Sequence, residues 1–163
     1  MPERHVVLVM PEIHWNTGNA GRTCLAAGAR LHLVRPLGFS LDEREVRRAG
    51  LDYWERVPLS VWESLEDFLA ALRPGTGEVA VFAKRAPRPF WDMEKRERMF
   101  LLFGSETRGL PAGVAERFPG AAFHIPTRRD VRSLNLSTAV GIALYESLRG
   151  AEPPHEWGPG EEP

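Results

Sequence analysis

The chain has 163 residues, of which 43% are hydrophobic and 26% are charged, a composition typical of a globular domain rather than a disordered chain. Its longest apolar runs, 6–10 and 139–144, are far shorter than the ~20 residues that a membrane-spanning helix needs. Lys and Arg number 21 against 22 for Asp and Glu, which permits a nucleic-acid partner without requiring one. The single cysteine, Cys24, excludes an internal disulfide, and together with an N-terminus that lacks a secretory signal it predicts a cytoplasmic protein.

The first quarter of the chain predicts a strand, a helix and a second strand. Apolar residues over 5–10 are typical of a buried strand. The turn cluster at 16–19 favours a helix that runs to about Ala27, where Gly28 supplies a left-handed stop. A second apolar run over 31–34 predicts the next strand.

Two patterns of the capping-box type follow. Ser40 with Glu43 predicts a short helix that ends at Gly50. Ser60 with Glu63 predicts a second helix, because the apolar residues behind it recur at helical spacing. These residues are Trp62, Leu65, Phe68, Leu69 and Leu72.

The second half alternates in the same way. Apolar runs over 79–83, 99–103 and 121–125 predict three strands. Pro111 is suited to the first position of a short helix, because its missing N–H has no partner there in any case. A regular 3.6-residue period predicts a final helix over about 134–149.

This alternation predicts an α/β fold with a mostly parallel sheet and helices on both faces. We place a single domain over 1–150 and a disordered acidic tail, rich in proline and glycine, over 151–163. Ligands of such sheets bind beyond the carboxyl ends of the strands. The loops of interest therefore follow Met10, Ala83, Phe103 and Ile125.

The first of these loops carries Asn16 and, six residues later, Arg22. Free N–H groups at a helix N-terminus attract anions, so the pair is a candidate ligand site. A helix cap with a surface arginine explains the same residues, and the motif alone favours that simpler interpretation.

The loop over 103–111 is more specific. Gly104 and Gly109 allow close backbone approach or unusual dihedral angles, and Glu106 lies between them at the end of a strand. The alternative is a tight strand-to-helix connection in which Glu106 caps the helix.

The third loop is basic and leads into the final helix. Arg128, Arg129 and Arg132 are crowded there, followed by Ser133 and Asn135. Capping of the helix by Ser133 beside a solvated basic loop is the simpler interpretation of this segment alone.

Other catalytic or metal-binding patterns are weak. The five histidines form no close ligand pair in the sequence, and Cys24 has no cysteine partner, so we predict no metal site. Cys24 falls in the first predicted helix, where a small buried hydrophobe is the more common role of a cysteine. There is neither a Walker lysine nor a dinucleotide fingerprint.

The three motifs, 16–22, 103–111 and 132–137, in this order resemble those of the SPOUT class of RNA methyltransferases. The likeness is greatest to its tRNA (cytidine/uridine) wobble-position 2′-O-methyltransferase family, and the segment 47–53 is similar to that family in particular. The resemblance covers about 5–149, which is nearly the whole chain apart from the tail.

The resemblance implies a SPOUT fold whose C-terminal part, roughly 75–150, is threaded as a trefoil knot, in a homodimer. It also implies S-adenosyl-L-methionine as the cofactor. The groups expected to hold that cofactor are near Val81, Gly104, Ile125, Ser133 and Leu134.

The implied activity is S-adenosylmethionine-dependent 2′-O-ribose methylation of the wobble nucleotide, a cytidine or modified uridine, in the tRNA anticodon loop. The resemblance places catalytic roles on Arg22, Asn16, Glu106 and Asn135, and RNA binding on Arg132, Arg128 and Arg129. No metal and no membrane are expected to take part.

The individual roles stay open at this point. Arg22 could be the general base or, because free arginine is effectively always protonated, could hold the RNA phosphate and polarise the hydroxyl. Glu106 could orient Arg22 or support the cofactor loop, and Asn135 could bind substrate or fix its own loop. Two other functions compete: a ribosomal-RNA 2′-O-methyltransferase of the same class, and a non-catalytic nucleotide- or RNA-binding module.

Overall fold

The computed structural model describes residues 1–41 and 53–151, and these residues contain seven strands and three α-helices. Single turns of 3-10 helix occur at Trp54–Arg56, Phe90–Asp92 and Ala115–Arg117. In chain order the strands and α-helices are β1 (Glu3–Val9), α1 (His14–Ala26), β2 (Arg30–Val34), β3 (Leu59–Trp62), α2 (Leu65–Leu72), β4 (Val79–Phe82), β5 (Arg88–Pro89), β6 (Arg98–Phe103), β7 (Ala122–His124) and α3 (Leu136–Leu148).

The strands form one sheet in the order β3-β2-β1-β6-β4-β7-β5. Every described pair of neighbouring strands is parallel; Val7 of β1, for example, lies opposite His32 of β2 and Leu102 of β6. Because all the strands run the same way, their carboxyl ends share one edge, where ligands of such sheets bind. The late strands β6 and β7 each insert between strands formed earlier in the chain.

Helices cover both faces, so the predicted α/β architecture is confirmed. Successive strand residues point to opposite faces, and β1 shows this clearly: Val6 and Leu8 pack in one cluster, Val7 and Val9 in another. The first cluster includes α1 and α3, with Cys24 fully buried in it. The second lies under α2, through Leu65 and Phe68.

The helix predicted from Ser60 is wrong at its start. Residues 59–62 are strand β3, paired in parallel with β2 through Leu31 opposite Leu59. Helix α2 begins after Ser64, whose Oγ accepts a hydrogen bond from the Asp67 N–H (3.1 Å). The β-branched and aromatic residues in 59–62 suit an edge strand. The helix predicted between Ser40 and Gly50 lies outside the described residues.

Three further boundaries differ from the predictions. Helix α1 already begins at His14, so the turn-like residues 16–19 are helical. Helix α3 begins at Leu136 and is capped by Asn135, so capping by Ser133 is wrong. Pro111 does not begin an α-helix; it accepts a hydrogen bond from the Val114 N–H in turns that lead to the 3-10 helix Ala115–Arg117.

A chain of hydrogen-bonded side chains, with the buried His5 and His32 at its centre, crosses the α2 face of the sheet. Trp62 Nε1–H donates to His32 Nδ1 (3.1 Å), so the ring proton of neutral His32 is on Nε2. His32 Nε2 lies 2.8 Å from His5 Nδ1, and His5 Nε2 lies 2.8 Å from Glu3 Oε1. Every donor therefore points the same way, from Trp62 towards Glu3.

His5 and His32 are 27 positions apart in the chain, and the parallel pairing of β1 with β2 brings their rings within hydrogen-bond distance, which the spacing in the sequence did not indicate. Burial is the main reason that the pKa of His5 is lowered, and burial together with neighbouring His5 lowers the pKa of His32 to about 3. The part of the chain that the structure describes contains no group of three His, Cys, Asp or Glu side chains that could hold a metal ion.

Arg4 lies at the end of the sheet opposite to the carboxyl ends of the strands, where it links several segments of the chain. Its guanidinium is buried and donates to Ser147 Oγ (3.0 Å) and the Ser147 carbonyl (2.7 Å) at the end of α3. It also donates to the carbonyls of Arg96 and Glu97, just before β6. One side chain thus ties together three distant segments.

No described helix is long and apolar enough to cross a membrane.

Candidate active site

The predicted site residues come from loops at the carboxyl edge of the sheet. Gly104 follows β6, Ile125 follows β7, and the adjacent strand β4 places Val81 level with Leu102 and Ala122. The order of the strands makes these three neighbours, since β4 lies between β6 and β7. The first turn of α1 reaches the same edge because the 10–13 loop follows β1 directly.

Glu106 is the centre of a hydrogen-bonded cluster at this edge. Its Oε2 accepts from the backbone N–H of Glu12 (2.7 Å), and its Oε1 accepts from the N–H of Ile13 (3.0 Å) and from Asn16 Nδ2 (3.2 Å). Two of these donors are backbone N–H groups at the start of α1, where the helix dipole favours a negative charge. The carboxylate of the β6 loop therefore caps α1 from outside that helix.

Asn16 and Asn135 extend the cluster to α3. The buried Asn16 accepts from Asn135 Nδ2 at its Oδ1 (2.8 Å) while donating to Glu106. Asn135 Oδ1 in turn caps α3 by accepting from the N–H groups of Ser137 (2.9 Å) and Thr138 (3.3 Å). The side chains Glu106, Asn16 and Asn135, called the edge network below, thus join the loop after β6, the first turn of α1 and the start of α3, which are remote from one another in sequence.

Gly104 is required by the way its own loop folds back. A Cβ at this position would lie 2.0 Å from the Gly109 carbonyl carbon and 2.1 Å from the Leu110 nitrogen. The N–H of Ser105 donates to the Gly109 carbonyl (3.1 Å), and the N–H of Gly109, at φ +68°, donates back to Ser105 (3.0 Å). This closure presents residues 106–108 as a tight turn with Glu106 directed at α1.

The residues present suit the cofactor that the sequence implies. Val81, Gly104 and Ile125 stand on three adjacent strands, and the Gly104 loop offers backbone without a side chain. Ser133 is exposed and Leu134 half-buried in the segment before α3, which supplies a hydroxyl and an apolar surface. Backbone groups, a hydroxyl and small apolar side chains are the usual lining of small-molecule sites. The Val81 N–H donates to the Ala121 carbonyl (2.8 Å). A cofactor at this end of β4 would therefore contact groups other than that N–H.

Arg22 is not part of the edge network. It is exposed, and its guanidinium lies over the ring of Tyr53, 5.5 Å from the centroid. Arg22 follows Asn16 by six residues of helix, which places it about 9 Å further along the axis and about 120° away around it. Arg22 therefore points away from the side of α1 that holds Asn16.

The basic residues of the third loop are fully exposed. Arg128, Arg129 and Arg132 all face solvent, and Arg128 Nε lies 3.8 Å from Asp130 Oδ1 in a surface ion pair. Such a pair contributes little to stability, so these guanidinium groups can exchange partners readily. Cys24 is the opposite case, because burial raises the pKa of its thiol to about 12 and so makes it a poor nucleophile.

A family model described as the SpoU rRNA Methylase family matches residues 3–145. The chain belongs to this family. Among curated relatives of the SpoU methylase chain, a tRNA (cytidine(34)-2′-O)-methyltransferase of Burkholderia cenocepacia is 46% identical over 148 residues, covering 90% of this chain and 95% of the relative. The protein of the same name from Burkholderia pseudomallei is 43% identical over the same coverage. The resemblance inferred from the three motifs is thus confirmed.

Solved structures agree with the SpoU methylase assignment. One that concerns the 2-OH methylation of C/U34 on tRNA is 47% identical, has a TM-score of 0.83 and covers 91% of both chains. An rRNA methyltransferase from Sinorhizobium meliloti with bound AdoMet is 30% identical with a TM-score of 0.81, and the match covers 93% of this chain and 57% of that one. The fold and the use of S-adenosylmethionine follow from these matches.

Sequence reasoning brought Asn16, Glu106 and Asn135 to the same edge of this SpoU methylase but missed what completes the arrangement. The backbone N–H groups of Glu12 and Ile13 donate to Glu106, and a sequence pattern does not indicate which backbone groups will do so. The side chain of Glu12 was also missed: it accepts a hydrogen bond from Thr107 Oγ1 (2.7 and 2.8 Å to its two oxygens). The available signal was a glutamate directly after Pro11, in the loop that follows β1.

Proposed function

We propose that this protein methylates the ribose 2′-hydroxyl of the wobble nucleotide, cytidine or modified uridine 34, in the tRNA anticodon loop. The observation that carries the proposal is the edge network, in which Glu106, Asn16 and Asn135 hold three loops together at the edge where ligands of parallel sheets bind. Relatives that this chain covers almost completely are named for that reaction.

Positioning is the main task of the edge network. Transfer to a hydroxyl requires the oxygen to be aligned with the reacting carbon, and a displacement of about 1 Å can cost roughly 10²-fold in rate. Glu106 and Asn16 are hydrogen-bonded to each other, and Glu106 also accepts from two backbone N–H groups. We therefore assign both residues to holding the loop after β6 against α1. Asn135 fixes the start of α3 and so the segment that carries Ser133 and Leu134.

S-Adenosylmethionine, when bound, supplies an electrophilic methyl group on a good leaving group. We propose that groups near Val81, Gly104 and Ile125, with Ser133 and Leu134, hold it between the strand ends and the start of α3. The arrangement described above suits this, because the three strand positions are neighbours in the sheet.

Arg22 is the group we assign to the substrate. A guanidinium binds phosphate through a planar fork of donors, and bound there it would also polarise the neighbouring hydroxyl and help it lose its proton. Because Arg22 points away from the Asn16 side of its own helix, we propose that it serves the site of a second copy in a homodimer.

Two finer features of the fold belong to the same proposal. We infer that roughly residues 75–150 are threaded as a trefoil knot, which the insertion of β6 and β7 between earlier strands supports. We further infer that Arg128, Arg129 and Arg132 contact RNA phosphate, since they are exposed and close in sequence to the cofactor segment. A tRNA substrate and a buried free thiol are consistent with the cytoplasm.

The test is transfer of radiolabelled methyl from S-adenosylmethionine to unmodified tRNA transcripts, followed by nucleoside mapping. We expect 2′-O-methylation at position 34 and nowhere else. Ribosomal RNA serves as the second acceptor, because the Sinorhizobium meliloti relative is an rRNA methyltransferase. Transfer only to ribosomal RNA would replace the proposed substrate, and cofactor binding without transfer to either RNA would indicate a binding module.

Sedimentation of the purified protein tests the homodimer. If Arg22 serves a second copy, mixing Arg22→Ala chains with Glu106→Gln chains should restore part of the activity that each homodimer lacks. Failure of the mixture to exceed both parents, with mixed dimers shown to form, would place Arg22 in the site of its own chain.

A further inference from the structure

A cleft opens beside the edge network, on the side of β1 and β2. Its volume is about 500 Å³, within the usual range of ligand sites. Apolar side chains line it: Met10 after β1, Leu37 after β2, and Leu110 with Pro111 after the Gly104 loop. Val81, Gly104, Ile125, Ser133 and Leu134, which we assign to the cofactor, do not line this cleft, and residues 105 and 107–111 of the Gly104 loop form one of its walls.

Glu12 gives this apolar cleft a charged rim. Both of its carboxylate oxygens lie within 2.8 Å of Thr107 Oγ1, but that hydroxyl has one proton to donate. A carboxylate offers about four acceptor sites, so Glu12 retains capacity for further donors. Hydrogen bonds from Thr107 and Ser105 and the charge of Arg108 hold the pKa of Glu12 below its ordinary value, which keeps the group an ionised acceptor at neutral pH.

Arg108 is the second charged group of the rim. Its side chain is exposed and lines the cleft, and its backbone N–H donates to Ser105 Oγ (3.2 Å). An acceptor, a cation and apolar walls form a set that matches one nucleotide: an amino group on the base edge, a phosphate and a flat base. Carboxylates are the side chains that accept from base amino groups, as in the pairing with cytosine N4.

Glu12 links the cleft to the edge network, because its backbone bonds Glu106 and its side chain lines the cleft. The backbone N–H of Glu12 donates to Glu106 Oε2 (2.7 Å), while the Glu12 side chain reaches Thr107, the residue after Glu106. A base in the cleft is therefore next to the position where the edge network serves the target ribose. Single-stranded loops splay their bases for this kind of recognition.

We propose that this cleft binds the base of a nucleotide adjacent to the methylated one, and that Glu12 accepts a hydrogen bond from the exocyclic amino group of that base. The inference rests on the proposed function and adds a determinant of RNA choice to it. Glu12 is then a specificity-determining residue: it selects adenine, cytosine or guanine over bases without an amino group.

The test compares anticodon stem-loop RNAs that differ by one amino group. At each position flanking the methylated nucleotide, adenosine is replaced by purine riboside, which keeps the ring and removes only the amino group. We expect kcat/KM of the wild-type protein to fall about tenfold or more at one flanking position, the discrimination typical of a good contact to a base edge. Equal kcat/KM for both RNAs at both positions would overturn the inference without any variant being needed.

The variant Glu12→Ala identifies the residue responsible. It removes the side-chain acceptor but keeps the backbone N–H that donates to Glu106, so the edge network is retained. We expect the variant to methylate the two RNAs with equal kcat/KM. The matched control is Glu116→Ala, an exposed glutamate on the 3-10 helix Ala115–Arg117, which should preserve the discrimination.

The outcomes separate the inference from the proposed function. If the wild-type protein methylates no RNA, the proposed function fails. If it methylates both RNAs but Glu12→Ala keeps the tenfold preference, the function stands and the role of Glu12 is wrong. Melting curves and cofactor binding for each variant ensure that a lost preference is read only from folded protein.

Discussion

Glu106 shows how one carboxylate can hold distant segments of a chain together at the edge of a sheet. Its two oxygens accept from two backbone N–H groups and from Asn16. These donors lie about 90 residues before it in the chain, so the β6 loop and the start of α1 are held in register by this side chain. The same bonds leave Asn16 with one oriented oxygen, which Asn135 donates to.

The substitution Glu106→Gln should therefore reduce methyl transfer strongly. One carboxylate oxygen would become an NH₂ group facing N–H donors, leaving buried donors unpaired at a cost of about 1–3 kcal/mol. We expect the transfer rate to fall about 10²-fold through misplacement of the loops. Initial rates and melting curves measure both effects, with Glu116→Gln as the exposed control. A normal rate for Glu106→Gln would show that the edge network is not needed for transfer.

Two glycines offer a paired test of close backbone approach. Gly104→Ala places a methyl carbon about 2 Å from the backbone of residues 109 and 110, where nothing can yield without opening the loop. Gly141 in α3 has Thr23 Cγ2 as the nearest atom to an added Cβ, at 3.8 Å. We expect Gly104→Ala to abolish activity and destabilise the fold, and Gly141→Ala to raise stability by about 0.5–1 kcal/mol. Denaturant titration compares them; equal stability of the two variants would contradict the assignment.

At the scale of elements, the strands were the most predictable part. The strands over 5–10, 31–34, 79–83 and 99–103 were recognisable because strands buried on both faces are continuous apolar runs. β5 was missed because two residues, Arg88 and Pro89, carry no pattern. The helix predicted from Ser60 was wrong because the same residues fit both a capping box and an edge strand. Only their pairing with β2 decides between the two.

The site was predictable to the level of loops and not of bonds. Parallel strands oblige their carboxyl ends to meet, so Asn16, Glu106 and Asn135 could be expected at one edge. Which atom donates to which depends on the folded loop, and two of the donors to Glu106 are backbone groups. The assignment of the cap at α3 to Asn135 rather than Ser133 likewise needed the backbone path.

The hydrogen-bonded row from Trp62 to Glu3 predicts sensitivity to acid. The folded-state pKa values of His5 and His32 are below the unfolded value near 6.5. The unfolded chain then binds more protons below that pH, so the free energy of unfolding falls as pH falls below about 6.5. The slope from His32, whose pKa is about 3 in the folded protein, should reach about 1.4 kcal/mol per pH unit, and His5 adds to it in the same direction. Urea titrations at pH 8, 6 and 5 measure it.

His32→Leu separates this effect from general acid unfolding. The variant leaves the Trp62 N–H and His5 Nδ1 without their partner, so it should be less stable than wild type at pH 8 by about 1–3 kcal/mol. Its stability should nevertheless depend less steeply on pH between 6 and 5, because one buried titrating ring is gone. A slope equal to that of wild type would show that the ring of His32 does not titrate on unfolding.

At the scale of the whole molecule, Arg4 joins the first strand to the last helix. The guanidinium donates to carbonyls of Arg96, Glu97 and Ser147 and carries a charge that is almost completely buried. Carbonyls at the end of a helix are favourable partners for a cation. These bonds hold the end of α3 and the segment before β6 against the start of β1 without a disulfide.

Arg4→Leu should consequently cost more than a typical surface substitution. The carbonyls of Glu3, Arg96, Glu97 and Ser147 and the Ser147 hydroxyl would lose a donor, and we expect a loss of at least about 3 kcal/mol in the free energy of unfolding. Arg85→Leu, at an exposed position between β4 and β5, is the control. A similar small change for both variants in denaturant titrations would show that Arg4 is not a structural tie.

The central place of β1 has a consequence for synthesis on the ribosome. β1 meets β2 soon after it emerges, but its other neighbour begins at Arg98, 95 positions after Glu3. At translation rates of 5–20 residues per second, that edge stays open for about 5–20 s. An open strand edge is a template for wrong pairing. A ribosome paused before β6 thus holds a nascent chain in which one edge of β1, a strand buried from Arg4 to Val9 in the folded protein, is exposed, and chaperone contact should concentrate in that interval.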